Sequence, residues 1–209
     1  MLSINNYMPT KFSVISDLHL EFADLELPGG EVLILSGDVC EAKHVRAEYT
    51  PGDKTHRYTR FFHEECAKYD RVIYVLGNHE HYGGRFDKTY GYLTSVLPKK
   101  IELLEKSYTE VDDVVVIGAT LWTDLNRGDP ITGWTLKSSM NDYRVIQNFY
   151  AAKSLYYKLT PEATKDDHMR AKQYISDISN QFSDRPVVVV THHSPSTQSI
   201  KPKYAGDYH

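Results

Sequence analysis

The chain has 209 residues and a mass of 24.0 kDa, enough for one domain with its own core and no need of disulfide or metal staples. Hydrophobic residues make up 41% and charged residues 25%, and no apolar run reaches the length of a membrane span, so the composition is that of an ordinary water-soluble globular protein. A formal net charge of -4 with scattered Lys and Arg argues against nonspecific nucleic-acid binding, and "MLSINNYMPTKF" lacks the basic and apolar regions of a secretory signal, which makes the cytoplasm the expected compartment.

In chain order, the first expected strand is "KFSVIS" (11–16), followed at once by Asp17 and His19. The second, "EVLILS" (31–36), runs into Gly37 and Asp38. Residues 43–59 are polar, punctuated by Gly and Pro and without period, which places them in a surface loop. "TRFFHEECAKY" fits an amphipathic helix, and "RVIYVL" (71–76) is the third strand, ending on Gly77, Asn78, His79 and Glu80. "GYLTSVLPKKIELLEK" reads as helical on both sides of a break at Pro98.

"VVVIGATLW" (114–122) is a fourth strand and 123–142 a second long loop. "NFYAAKSLYYKL" reads as an aromatic-rich helix. In "DDHMRAKQYISDISNQF", Met169, Tyr174, Ile175, Ile178 and Phe182 share one face of a helix. The last strand is "RPVVVVT" (185–191), followed by His192 and His193. The strand runs are continuously apolar, as strands buried on both faces should be, and their alternation with helices indicates a layered α/β fold. There is no repeat or linker that would divide the chain, and Cys40 and Cys66, far apart in sequence, read as plain thiols.

Four of these strands discharge polar side chains at their carboxyl ends, the edge where open α/β sheets bind ligands. Taken singly, each group has a bland explanation: a polar turn at Asp17 and His19, a loop cap at Asp38, a capping turn at Asn78 and His79, a satisfied pair at His192 and His193. Taken together, Asp, His, Asp, Asn, His and His at independent strand ends make a mixed oxygen and nitrogen donor set. Such a set suits manganese, iron or zinc better than calcium. A central carboxylate such as Asp38 could bridge two ions about 3.5–4 Å apart, an arrangement suited to phosphoester hydrolysis.

"DLH" at 17–19, "GD" at 37–38, "GNHE" at 77–80 and "THHSP" at 191–195 resemble, in order, the blocks of the calcineurin-like metallophosphoesterases, and the likeness spans nearly the whole chain. The resemblance implies a layered β-sandwich flanked by helices, binding two divalent ions, with manganese the first choice and iron or zinc as alternatives. It implies that Asp17 and His19 hold the first ion, that Asp38 bridges, and that Asn78 and His192 hold the second. His79 would be the general acid at the leaving oxygen, and a hydroxide shared by the metals would be the nucleophile. Glu80, Glu41 and His193 are then candidates to orient the imidazoles, with direct ligation by Glu80, His81 or His193 the weaker reading.

The family's closing G-H-x-H block is missing from the sequence. Residues 1–209 therefore read as a single domain of this kind truncated before that block, lacking its C-terminal strands, with an exposed sheet edge through which a second copy could pair. The terminal "GDYH" has the right spacing with Asp207 in place of the first His, but no apolar strand precedes it. The expected activity is hydrolysis of small phosphomonoesters or phosphodiesters such as nucleotides, with no membrane partner. The alternative is an impaired binding module on the same fold, and a nuclease is disfavoured for want of a basic, aromatic groove. Substrate choice would lie in the two long loops, where Asp124, Asn141 and Tyr143 are candidates and Arg127 and Arg144 the foremost for phosphate contact.

Overall fold

The computed structural model describes residues 10–52, 54–150 and 153–199. Strands β1 (Phe12–Ile15), β2 (Gly30–Ser36), β3 (Tyr69–Val75) and β4 (Ile101–Leu104) form a parallel sheet in that order. Alternate side chains of β2 and β3 serve two different layers, which is why these strands are apolar throughout. Leu33, Leu35, Val72 and Tyr74 pack under Phe61, Phe62, Leu93 and Leu97, contributed by the helical segments. Val32, Ile34, Ile73 and Val75 face Val116 and Val190 of a second sheet.

That second sheet contains β5 (Ser107–Val111) and β6 (Val114–Ala119). After an outlying hairpin of β7 (Gln147–Tyr150) and β8 (Leu155–Lys158), it is completed by β9 (Val187–Thr191), parallel to β6. The molecule is thus a layered β-sandwich with helices on its outer faces. Among the described residues β9 pairs with β6 alone, and its Val188 and Val189 are exposed.

Helical turns and helices cover the two sheets. α1 (Arg57–Arg60) continues through a π turn at Phe61–Glu65 and a 3-10 turn at Cys66–Lys68, and α2 (Thr89–Val96) lies over the same sheet. Two single turns, α3 (Leu125–Gly128) and α5 (Asp142–Val145), flank α4 (Pro130–Ser139), and the long α6 (Pro161–Gln181) packs Ala171 and Ile175 on Ala119 and Leu121. Cys40 and Cys66 are buried free thiols, with burial raising the Cys66 pKa to about 12. No helix among the described residues is long and apolar enough to cross a membrane.

Several elements differ from the sequence expectation. The stretch beyond Pro98 is not a second half-helix: Ile101–Leu104 is β4, with Val72 beside Ile101 and Val75 beside Leu104. Four apolar residues carry no decisive period, and pairing with β3 settles the matter. "NFYAAKSLYYKL" forms the β7–β8 hairpin, where Phe149 pairs with Tyr156 and aromatic β preference prevails. The 123–142 "loop" contains α4, capped by Asp129, whose side chain accepts from Thr132 N, with Pro130 opening the first turn. In α6 the expected face holds at Ile175, which packs on Ala119 and Leu121, and just past its end at Phe182, whose ring lies 5.2 Å from Tyr108, but Met169 is exposed because the first half of the helix turns Pro161, Thr164, Asp167 and Ala171 inward.

Candidate metal centre

The carboxyl ends of β1, β2, β3 and β9 meet at one place. Backbone bonds lace the turn after β1 to the turn after β2: Asp17 N to Gly37 O at 3.1 Å, His19 N to Asp38 O at 3.0 Å and Leu20 N to Val39 O at 2.9 Å. β9 is drawn in from the second sheet by Ser36, whose hydroxyl donates to Thr191 O at 2.8 Å and whose carbonyl lies 3.0 Å from His192 Nδ1. Asp17, His19 and Asp38 hold positive φ angles of 56°, 44° and 53°, a conformation that costs such residues energy and that clusters at functional sites.

Close approach needs glycine at two of these turns. A Cβ on Gly37, itself at φ 84°, would overlap the His192 ring, and one on Gly77 would overlap Asp38 Oδ1. The glycines of "GD" and "GN" thereby let three turns close on one carboxylate.

That carboxylate is Asp38, buried with 6% of its side chain exposed. His192 Nε2 lies 3.3 Å from Oδ1, while His19 Nε2 and His79 Nε2 lie 3.9 and 4.0 Å from Oδ2. The backbone N–H of His79 donates to Oδ1 at 2.9 Å, and His192 Nε2 also lies 3.2 Å from Asn78 Oδ1. Burial alone would lower the pKa of His192, but the facing Asp38 carboxylate outweighs it and lifts the imidazole to about 9. Burial correspondingly pushes Asp38 up, and His192 and His79 more than reverse it, leaving Asp38 below the usual carboxylate range. A buried carboxylate that recruits a proton onto its neighbour is a place that favours a cation.

The donor chemistry fits divalent metal. Ligand atoms of Asp17, His19 and Asp38 lie within 4.8 Å of one another, as do those of His19, Glu21 and His79. His192 directs Nδ1 at the Ser36 carbonyl, which in the neutral ring leaves the Nε2 lone pair toward Asp38 and Asn78. The carboxylates, amide oxygen and imidazoles together form the oxygen and nitrogen set expected of a borderline ion.

His79 is held from two sides. Its ring stacks on Tyr82 with centroids 4.1 Å apart, and its Nδ1 lies 3.0 Å from Glu21 Oε1, which also meets His19 Nδ1 at 3.2 Å. Glu21 and Tyr82 were not singled out by sequence reasoning, although Glu21 sits two residues beyond His19 in "DLHLE" and Tyr82 closes "NHEHY". Asp142 was also missed. It is 1% exposed, lies beside the Asn78 amide, whose Nδ2 donates to Tyr82 OH at 3.4 Å, and leaves its Oδ1 without a partner among the described residues. Burial raises its pKa against the opposing influence of the neighbouring Asn78 amide.

Other expected residues lie elsewhere. Glu80 is buried but among the described residues meets no imidazole: it accepts from Asp38 N, Val39 N, Gly77 N and Tyr74 OH, tying the "GD" and "GN" turns together. Glu41 pairs with Lys43 and His44, both at 3.1 Å. His193 packs 5.2 Å from Trp122 with Nδ1 3.3 Å from Thr120 O, and burial lowers its pKa to about 4. His81 is buried between Phe86 and Trp122. Arg127 is exposed in α3 at φ 63°, and the exposed Arg144 donates to Asn141 Oδ1 at 2.5 Å. Tyr143 is buried with its hydroxyl 3.1 Å from Thr164 Oγ1, and Asp207 lies outside the described residues.

The chain is 28% identical over 211 residues to an uncharacterized protein, L509, of Acanthamoeba polyphaga mimivirus, covering 92% of this chain and 71% of that one. Its fold is similar to the crystal structure of phosphopantetheinyl hydrolase from Mycobacterium tuberculosis, with a TM-score of 0.55 and 16% identity over 93% of this chain and 73% of the other. The calcineurin-like phosphoesterase family matches residues 10–209, a span holding every turn that converges on Asp38. The chain therefore belongs to the calcineurin-like phosphoesterases, a family of metal-dependent phosphoester hydrolases.

Proposed function

We propose that the chain hydrolyses small phosphomonoesters or phosphodiesters, nucleotides among them, at two divalent ions held by Asp17, His19, Asp38, Asn78 and His192. The observation that carries this reading is the buried Asp38 carboxylate, approached by the Nε2 atoms of His192, His19 and His79 at 3.3, 3.9 and 4.0 Å. When bound, the ions would offset charge on the phosphoryl oxygens and supply the attacking water in ionised form. Asp17 and His19 would hold one ion, Asn78 and His192 the other, with Asp38 between them.

His79 does the proton work. Its Nδ1 faces Glu21 Oε1 at 3.0 Å, so the ring is fixed with Nε2 directed to the Asp38 side, where a leaving oxygen would be protonated. The His79 side chain is 23% exposed, so the ring borders the solvent side of the site. Glu80 keeps the two turns at a fixed separation without touching the reacting groups.

The test is hydrolysis of p-nitrophenyl phosphate and bis(p-nitrophenyl) phosphate with added manganese, comparing the chain with His79→Ala and Asp38→Ala. Manganese-dependent turnover should fall roughly 10²–10⁴-fold in His79→Ala, the usual contribution of a general acid. It should vanish in Asp38→Ala. A folded protein that turns over neither ester at millimolar manganese would overturn the reading and leave a binding module on the same fold.

A further inference from the structure

A cavity of about 540 Å³ opens beside the metal centre, between the segment after β2 and the start of α1, within the range of small-ligand sites. Its walls carry Lys43, Arg46, Lys54, His56 and Arg57, with Glu21 as the acidic side chain among its lining residues. This is a concentration of positive charge in a chain whose formal net charge is -4. Two of the cations are offset locally, Lys43 by Glu41 at 3.1 Å and Arg57 by Asp24 at 3.1 Å. Among the described residues no carboxylate pairs with the side chains of Arg46 or Lys54. A concave wall with uncompensated charge focuses the field and attracts anions.

The cavity and the metal centre share a wall. Glu21 lines the cavity while its Oε1 meets His19 and His79 at 3.2 and 3.0 Å. Lys43 lies against Gly83, two residues beyond His81. Glu21 Oε2 is buried with no hydrogen-bond partner among the described residues. A ligand bridging them would set one anionic group over Asp38, a hydroxyl near Glu21 and a second anionic group against Arg46 and Lys54.

We propose that this cavity is the distal subsite for a doubly phosphorylated substrate, holding its second phosphate while the scissile one occupies the metal centre. This rests on the hydrolase reading above. Arg46 and Lys54 are its specificity determinants: Arg46 offers a planar fork for phosphate oxygens and Lys54 a mobile point charge. A simple monoester would use the metal centre alone.

Two measurements separate this proposal from the hydrolase reading. First, inorganic pyrophosphate is titrated calorimetrically into the full chain in EDTA, where no metal can hold it. Wild type should bind, the Arg46→Ala/Lys54→Ala variant at least roughly tenfold more weakly, and the control Lys99→Ala/Lys137→Ala like wild type. Second, with manganese, the KM for adenosine 3′,5′-bisphosphate should rise in the subsite variant at least tenfold relative to the KM for p-nitrophenyl phosphate. Equal pyrophosphate affinity in the subsite variant and wild type, or equal movement of the two KM values, overturns the subsite. Variant-sensitive pyrophosphate binding without turnover of either ester supports an anion site and overturns the hydrolase reading instead.

Discussion

Glu21 Oε1 receives two imidazoles at once, His79 Nδ1 at 3.0 Å and His19 Nδ1 at 3.2 Å. The two rings meet edge to face with centroids 4.4 Å apart, and both present Nε2 toward Asp38 Oδ2. One carboxylate thus sets the tautomer and direction of a candidate metal ligand and of the candidate acid together. Glu41, which follows Asp38 in sequence and was expected to serve in this way, is engaged with Lys43 and His44 instead.

Glu21→Ala should therefore lower manganese-dependent kcat by about 10–100-fold and weaken manganese affinity by a similar factor, with the folded circular dichroism spectrum retained. Glu21→Gln keeps an acceptor for both Nδ1–H groups and should fall between the variant and wild type. Wild-type kcat in Glu21→Ala would show that stacking on Tyr82 suffices to hold His79.

Asp142 adjoins Asn78, a candidate ligand of the second proposed ion. Its buried carboxylate lies beside the Asn78 amide, whose Nδ2 donates to Tyr82 OH at 3.4 Å and whose Oδ1 faces His192, so a negative acceptor on the nitrogen side favours the oxygen pointing inward. Asp142→Ala should cost about tenfold or more in manganese affinity. The thermal midpoint without metal should hold or rise, because the mutation removes a buried carboxylate whose Oδ1 has no partner among the described residues. A large loss of metal-free stability would mark the residue as structural.

These two residues also mark how far the sequence could be read. The convergence of the four turns that carry the candidate ligands was legible because each follows a continuous apolar strand, and parallel strands deliver their carboxyl ends to one edge. Glu21 was within reach of the same logic, lying two residues past His19. Asp142 was not, since it opens a one-turn helix more than sixty residues after Asn78, and only tertiary packing joins them. The same limit explains β4 and the β7–β8 hairpin: four-residue segments carry too little period, and their partner strands decide. The cap of α4 was different, for Asp129 and Pro130 stood in the sequence as a helix start inside a segment read as loop.

Gly77 tests the packing of the centre. A methyl group there would overlap Asp38 Oδ1 and stand 2.9 Å from His192 Cδ2, so Gly77→Ala must separate the turns after β2, β3 and β9. Overpacking of this kind costs about 1–3 kcal/mol. The expected outcome is a lower urea midpoint at unchanged m-value, together with a loss of the stabilisation that manganese gives to wild type. An unchanged midpoint with full manganese stabilisation would mean that the turns yield without cost.

His81 gives the fold a pH dependence separate from catalysis. The ring is 4% exposed, between Phe86 at 5.1 Å and Trp122 at 5.9 Å, and burial lowers its pKa to about 4 from an ordinary 6.5. The unfolded chain consequently binds a proton below pH 6.5 that the folded chain refuses until about pH 4, so this residue's contribution is intact above pH 6.5 and is lost progressively between those values. At pH 5 the loss amounts to about 2 kcal/mol. Urea midpoints of wild type should fall from pH 7.5 to pH 5, and those of His81→Phe should fall by less, since no imidazole remains to protonate. Parallel pH curves for the two proteins would place the acid sensitivity in other groups and show that the His81 pocket admits the proton freely.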